Sequence, residues 1–283
     1  MSRTSTTPSR QPSKKEVSRV RSEFSADDLI RACETDDFSR YADRYDLGHD
    51  RFYWYRDTGA PILAVAHLDT VQEDRTCGVT ETAAGLLATS GGLDDRLGAY
   101  VIAELLPRLG VECDLLLTTD EEIGRSTAAD FAADVGEDHG YNWVIEFDRG
   151  GTDVVMYQYE TPALAGLVED AGARVGVGIF SDISTLGPLG VSCLNWGVGY
   201  ENYHSPRAHA WLEDTFRMVA RFARFYAANV DTYLPFDPLA IEGDPWDRWD
   251  ATIEADCGHL VDLDKPETFA EWAGCLTCLA CRP

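Results

Sequence analysis

Ile62-Leu63-Ala64-Val65-Ala66-His67-Leu68-Asp69 carries five apolar residues straight into a histidine and a carboxylate. Pro61 opens the run, which reads as a short buried strand of the kind found in parallel sheets covered on both faces. Four more segments place polar, chemistry-bearing residues where apolar or Gly-rich sequence ends. They are Asp94-Asp95-Arg96 after Gly91-Gly92-Leu93, Asp120-Glu121-Glu122 after Leu115-Leu116-Leu117-Thr118, Asp148 after Val144-Ile145-Glu146-Phe147, and His204 within Asn202-Tyr203-His204-Ser205-Pro206. Strand ends that meet loops are where α/β proteins carry their functional groups.

Working outward from this strand, helical and strand periods alternate. Ser25 reads as an N-cap with Asp27 and Asp28 in the first turn, and Phe52 to Tyr55 as a strand. A hairpin is expected between His67 and Asp94, and a helix from Asp95 to Leu109 that stops at Gly110. The spacing predicts strands at 115–118, 143–147, 153–158, 175–180 and 193–198. Helices are predicted at 127–135, 163–173 and 207–228, with His209 inside the last. The expectation is an α/β fold: three layers, with a mostly parallel mixed sheet between helices. Residues 1–23 read as a flexible tail, 24–230 as the main domain, and 231–283 as a C-terminal appendage rich in Pro, Asp and Trp.

Composition narrows the function classes. The chain has 283 residues, 45% hydrophobic, and a formal net charge of -25. Such acidity repels nucleic acid and anionic membranes, so neither is an expected partner. No apolar run approaches the roughly 18–20 residues of a membrane span, and the N-terminal residues lack a secretory apolar core, so the expected compartment is the cytoplasm. Cys33, Cys77, Cys113 and Cys193 are scattered singly and read as reduced.

The five segments are the residue types of a metal-dependent hydrolytic site. His67 and Asp69, two apart at a strand end, point to one side, and a carboxylate commonly holds the second nitrogen of a ligating imidazole. A local hydrogen-bonded pair is the other reading. Asp94 and Asp95 suit a metal or an acidic helix N-cap. Glu121 and Glu122 repel each other at the end of a hydrophobic strand unless a cation relieves them. One can bind metal while the other acts as a general base; a solvated loop pair is the alternative.

The ordered set resembles the clan of co-catalytic zinc exopeptidases and amide deacylases, which includes single-domain zinc aminopeptidases, glutamyl aminopeptidases, peptidase T-like tripeptidases and acetylornithine deacetylase-like enzymes. His67-Leu68-Asp69-Thr70-Val71, Leu93-Asp94-Asp95-Arg96-Leu97-Gly98 and Thr119-Asp120-Glu121-Glu122-Ile123-Gly124 carry the likeness, which spans about residues 50–228. It implies a zinc-exopeptidase-like fold and two zinc ions, with Co2+ or Mn2+ as substitutes. It places His67 and Asp148 on one metal, Glu122 and His204 on the other, and Asp94 between them. Asp69 would orient His67, Glu121 would be the general base, the Asp94–Asp95 bond would be cis, and Asp182 would play a supporting part. Asp148 and His204 are too close in sequence to enclose a lid domain, and His67 and Asp94 too close for an inserted one. What remains resembles the lidless, single-domain plan, with Tyr200 or Tyr203 as an oxyanion donor in place of a lid histidine; the alternative is that both are aromatic core residues.

The resemblance implies hydrolysis of an amide, with a peptide or small amide as substrate. Absence of the lid and an acidic surface that draws cations both favour a peptide amino terminus. A deacylase or carboxypeptidase acting on N-acyl amino acids shares the motifs. A non-catalytic metal-binding protein that keeps the fold is a third reading, although it has no use for Glu121. Separately, Cys257, His259, Cys275 and Cys278 form two soft-ligand pairs, the number a structural zinc takes, with Cys281 as a spare or a replacement for one member; a redox-active or simply reduced tail is the other reading.

The acidity has two explanations: adaptation to a saline cytoplasm, or drift in a genome that favours Arg over Lys. Only Lys14, Lys15 and Lys265 occur. Adaptation predicts that molar KCl raises the unfolding temperature beyond the rise given by a neutral osmolyte, because salt screens the carboxylates' mutual repulsion. Equal stability in dilute buffer and molar KCl would favour drift.

Overall fold

The buried run that opens the site lies near the middle of a seven-stranded sheet. The computed structural model describes residues 11–136 and 139–237, together with the backbone of four short strands further on. Helices α1 (Lys14–Glu23) and α2 (Ala26–Glu34) precede strands β1 (Asp43–Gly48), β2 (Arg51–Arg56) and β3 (Ile62–His67). The hairpin β4 (Gly78–Thr82) and β5 (Gly85–Thr89) leads into α3 (Leu93–Tyr100), which continues through a π turn at Val101–Leu105 and a last turn α4 (Leu106–Arg108). Then come β6 (Asp114–Thr118), α5 (Ala128–Val135), β7 (Trp143–Arg149), β8 (Val154–Val155), α6 (Pro162–Asp170), β9 (Cys193–Gly197), β10 (Tyr200–Glu201), β11 (His209–Trp211) and α7 (Leu212–Asn229).

The main sheet has the order β1-β2-β6-β3-β7-β9-β8. Its four central strands pair in parallel, Val65 opposite Leu116 and Glu146, and Glu146 opposite Asn195. The outer strands β1, β2 and β8 pair antiparallel. All six residues of β3 and all five of β6 are buried, as a doubly covered sheet requires. Because the central strands run the same way, their carboxyl ends share one edge, where open α/β sheets hold their ligands.

Helix α7 supplies the core on one face. Phe222 meets Trp143, Phe147 and Trp196 edge to face, with ring centroids 6.2, 5.0 and 5.7 Å away. A second sheet, β10-β11-β5-β4, lies beside the first.

Four expectations are corrected. Residues 14–23, expected within a flexible tail, form α1. A reciprocal Ser13–Glu16 capping box starts this helix, Glu16 pairs with Arg224 of α7 at 2.6 Å, and Val17, Val20 and Phe24 pack on the core. His209 is not in a helix but in β11, which pairs with β5 and β10. Residues 175–180 make a single bridge, Val154 to Val175, in place of a strand. Gly176 and Gly178 serve close packing there, against Asp153 and Tyr157. The strand expected at 153–158 stops after Val155 and turns at Tyr157, where φ is 44°. In the C-terminal part, β12 (Thr252–Glu254) pairs with β13 (Leu260–Asp262), and β14 (Phe269–Trp272) with β15 (Cys275–Cys278). Cys257, His259, Cys281 and the side chains of Cys275 and Cys278 lie outside the described residues, and the structural-zinc expectation with them.

Helix α3 crosses β7 closely at Gly98. A Cβ there would fall 2.3 Å from Asp95 Oδ1 and 2.4 Å from the Phe147 carbonyl. Gly98→Ala should therefore cost about 1–3 kcal/mol by overpacking, read as a lowered unfolding temperature. Gly166→Ala in α6, where a Cβ meets nothing within 4 Å, should be neutral or stabilising by about 0.5–1 kcal/mol. Equal effects would show that the α3–β7 approach is loose.

Candidate metal centre

His67, the last residue of β3, is fully buried, and its ring is aimed by the turn that follows. Nδ1 lies 2.9 Å from the Asp69 main-chain carbonyl, which directs Nε2 toward Asp94 Oδ1 at 3.1 Å and Asp148 Oδ1 at 3.4 Å. The carboxylate of Asp69, expected to orient His67, stands 3.6 Å from Nδ1. It also accepts from the backbone N–H groups of Glu121 at 3.3 Å and Glu122 at 3.0 Å. One residue thus aims the histidine with its main chain and fixes the glutamate turn with its side chain. That turn is tied again on its outer side. Asp120, at φ 66°, accepts from Arg51 Nε at 2.9 Å, and Arg51 Nη2 also reaches the Arg125 carbonyl and Asp130.

Asp94 sits where the entering chain bends into α3, with a cis peptide bond to Asp95. Its two carboxylate oxygens face different partners. Oδ1 faces His67, while Oδ2 lies 3.0 Å from His204 Nε2, which in turn is 2.9 Å from Glu122 Oε2. Glu121 Oε2 stands 3.8 Å from His67 Nε2. His204 has φ 58°, a left-handed conformation costly for a non-glycine residue, and Gln72 Nε2 donates to its carbonyl at 3.0 Å. The five sequence segments therefore meet in one pocket of space.

Tyr200 belongs to the same cluster in a way its position in the sequence did not suggest. Its hydroxyl donates to Asp148 Oδ1 at 2.7 Å and to the Asp148 carbonyl, with Asp94 Oδ1 3.3 Å away. A phenol has one proton, and acceptors surround this one, so Tyr200 holds Asp148 and has none to offer a substrate oxyanion. Tyr203 lies edge-on to the His204 ring, with centroids 4.9 Å apart.

Sequence reasoning passed over the residues beneath. Arg96 is almost completely buried, and burial pulls its pKa down to about 10. Nε donates to the Leu68 carbonyl at 2.8 Å, inside the His67–Asp69 turn, and Nη1 donates to the Ala32 and Thr35 carbonyls at 3.3 and 2.5 Å. Asp182 accepts from Thr118 Oγ1 at 2.5 Å and from Ser126 Oγ, bracing both ends of the loop that carries the glutamates. Its position in a short polar stretch gave only a supporting role by resemblance.

The electrostatics of this cluster are those of buried carboxylates set against two histidines, which hold the Asp94 carboxyl below its usual range. Burial pushes the Asp148 carboxyl up to about 7, helped by Asp94. Burial also raises Glu121, with Asp148, Asp182 and Asp94 adding to it and His67 opposing. Burial works against a charged His67, yet Glu121, Asp148, Asp69 and Asp94 together raise its pKa well above the usual value. Among the described residues, no lysine or arginine pairs with Asp94, Glu121, Glu122 or Asp148. Neither oxygen of the buried Glu122 carboxylate receives a hydrogen bond, although His204 Nε2 lies close to Oε2. Donor atoms of His67, Asp94 and Glu122 all lie within 4.8 Å of one another. Imidazole and carboxylate donors that converge in this way, around a buried Glu122 carboxylate that receives no hydrogen bond, fit a divalent cation.

No protein-family model and no curated protein matches this chain. Solved structures do. The aminopeptidase PepT from Bacillus cereus superposes over 75% of this chain and 99% of its own, with 10% identity and a TM-score of 0.51. A tripeptidase from Staphylococcus aureus covers 76% and 99%, with 10% identity and a TM-score of 0.52. At this identity the likeness shows the fold alone, and that fold is the zinc-exopeptidase-like α/β architecture implied by the motifs. Among the described residues no helix is long and apolar enough to cross a membrane.

The geometry separates four histidines into two pairs. His139 lies 2.8 Å from the Leu189 carbonyl, and His209 lies 3.6 Å from Glu201, both outside the cluster. Titration with Zn2+ should show weakened binding in His67→Ala and His204→Ala but not in His139→Ala or His209→Ala. Equal loss in all four would detach metal binding from this cluster.

Proposed function

We propose that the protein is a metal-dependent amide hydrolase, an aminopeptidase that uses two zinc ions. The observation that carries this reading is the placement of Asp94, whose two oxygens each face a histidine–carboxylate pair: His67 with Asp148, and His204 with Glu122. In this reading the first pair holds one ion, the second pair the other, and Asp94 contributes to both. Bound divalent cations supply Lewis acidity, polarising the scissile carbonyl and acidifying a water for attack.

The chain's own residues do the rest. Glu121 sits beside the His67–Asp148 pair and is the general base, taking the proton of the attacking water and passing it to the leaving amine. Asp69 keeps Glu121 from drifting by holding its backbone N–H. Tyr200 fixes the Asp148 carboxylate by its hydrogen bond. Tyr203, beside His204, is the remaining candidate to donate to the developing oxyanion, since Tyr200 is committed to Asp148. A free ammonium group at a peptide amino terminus matches a cleft lined by carboxylates, which is the electrostatic reason to prefer aminopeptidase over deacylase action.

Glu121→Gln keeps the shape of the side chain and removes the base. Turnover of a peptide or aminoacyl-anilide should fall by roughly 10²–10⁴, with zinc content unchanged. Glu122→Gln should cost affinity for one ion as well as rate. Equal metal loss in both variants would contradict the division of labour. Failure of the fully metallated wild type to cleave any peptide or N-acyl amino acid would remove the enzyme reading.

A further inference from the structure

Arg149 follows Asp148 directly at the carboxyl end of β7, and one edge of its guanidinium is already fixed. Nε donates to Asp153 Oδ1 at 3.1 Å, and Nη2 lies 3.5 Å from Asp153 Oδ2. Asp153 is seated in turn against Gly176, where a Cβ would fall 2.0 Å from its Oδ2, so any larger residue would displace the carboxylate. The pair holds the guanidinium plane still. Nη1 has no acceptor among the described residues, and the side chain keeps 30% exposure. An arginine clamped along one edge and open at its end presents the planar fork that matches a carboxylate.

The loop that Arg149 opens packs against the segment that carries His204. Tyr203, the residue before His204, is among the groups near enough to interact with the Arg149 charge. The two loops touch, since a Cβ on Gly150 would lie 3.2 Å from Tyr203 Cε1 and 3.3 Å from Tyr200 Cε2. Tyr203 stands edge-on to His204, and Tyr200 holds Asp148. Arg149 thus follows one carboxylate of the centre, on a loop packed against the neighbour of its histidine, and brings a permanent positive charge to that loop.

We infer that Arg149 is a specificity-determining residue that receives a carboxylate of the substrate, and that the enzyme therefore selects anionic substrates. The inference rests on the amide-hydrolase reading and names the substrate class for it. The carboxylate has two sources: an acidic side chain on the residue whose amide is cleaved, or the terminal carboxylate of a short substrate. The chain's net charge of -25 opposes approach of such a substrate at long range. Salt screens that field beyond about 8–10 Å, whereas a contact with a partly buried guanidinium is screened much less.

Binding to zinc-loaded Glu121→Gln protein, measured by calorimetry, tests this without turnover. Glutamyl-alanine against glutaminyl-alanine changes only the side-chain charge, and glutaminyl-alanine against its C-terminal amide changes only the terminal charge. One pair should differ in Kd by about 10–100-fold, the scale of a hydrogen-bonded charge pair, and which pair differs names the source. Adding Arg149→Gln should reduce that ratio to less than about 3-fold, and Arg149→Lys should leave an intermediate value. Because each ratio is taken within one protein, partial loss of fold or zinc cancels. Equal affinities in both pairs, or a ratio that survives Arg149→Gln, would overturn the assignment. An intact ratio in a protein whose wild type hydrolyses no amide would leave the carboxylate site standing and count against the hydrolase reading alone.

Discussion

Mutual repulsion among buried carboxylates is the constraint on which the rest of this structure depends. Asp94, Glu121, Glu122 and Asp148 converge at one sheet edge with two histidines, and among the described residues no arginine or lysine pairs with them. Such a cluster is costly unless cations enter it or protons neutralise it. The protein does not relieve the cost by spreading the groups apart; it holds them together. Asp69 ties down the glutamate turn, Tyr200 pins Asp148, and Gln72 supports His204 in a left-handed conformation.

The supporting structure explains the sequence around the motifs. Arg96 grips the carbonyl of Leu68 from below and, through Ala32 and Thr35, binds the end of α2 to the same turn. Gly98 lets α3 lie against β7, which sets Asp94 opposite Asp148. Arg51 reaches from β2 to Asp120 and braces the outer side of the glutamate turn. Long-range polar contacts of this kind position the ligand set, while apolar burial of β3 and β6 fixes the platform beneath it.

Much of the platform was legible because buried parallel strands leave an unmistakable apolar run. Residues 62–66, 115–117 and 143–147 read as strands from hydrophobicity alone, and the polar residues ending them met in space. What stayed hidden depends on partners distant in the chain. Helix α1 fully buries only Val20, and its Glu16 pairs with Arg224, 208 residues away, a contact no local period can announce. His209-Ala210-Trp211 continues the apolar spacing of α7, so β11 looked like its first turn; pairing with β5 decides otherwise. Val175-Gly176-Val177-Gly178 alternates like a strand, but its glycines serve close approach to Asp153 and Tyr157. The carboxylate of Asp69 meets the glutamate turn as well as His67, and the hydroxyl of Tyr200 meets Asp148, because strand-end spacing says which side a residue faces and not every group it meets.

The central claim is that Asp94 stands between two cation sites. Anomalous diffraction from crystals grown with excess Zn2+ measures this directly. The account predicts two peaks flanking the Asp94 carboxylate, one against His67 and Asp148 and the other against His204 and Glu122. A single peak, or none within reach of Asp94, would contradict it.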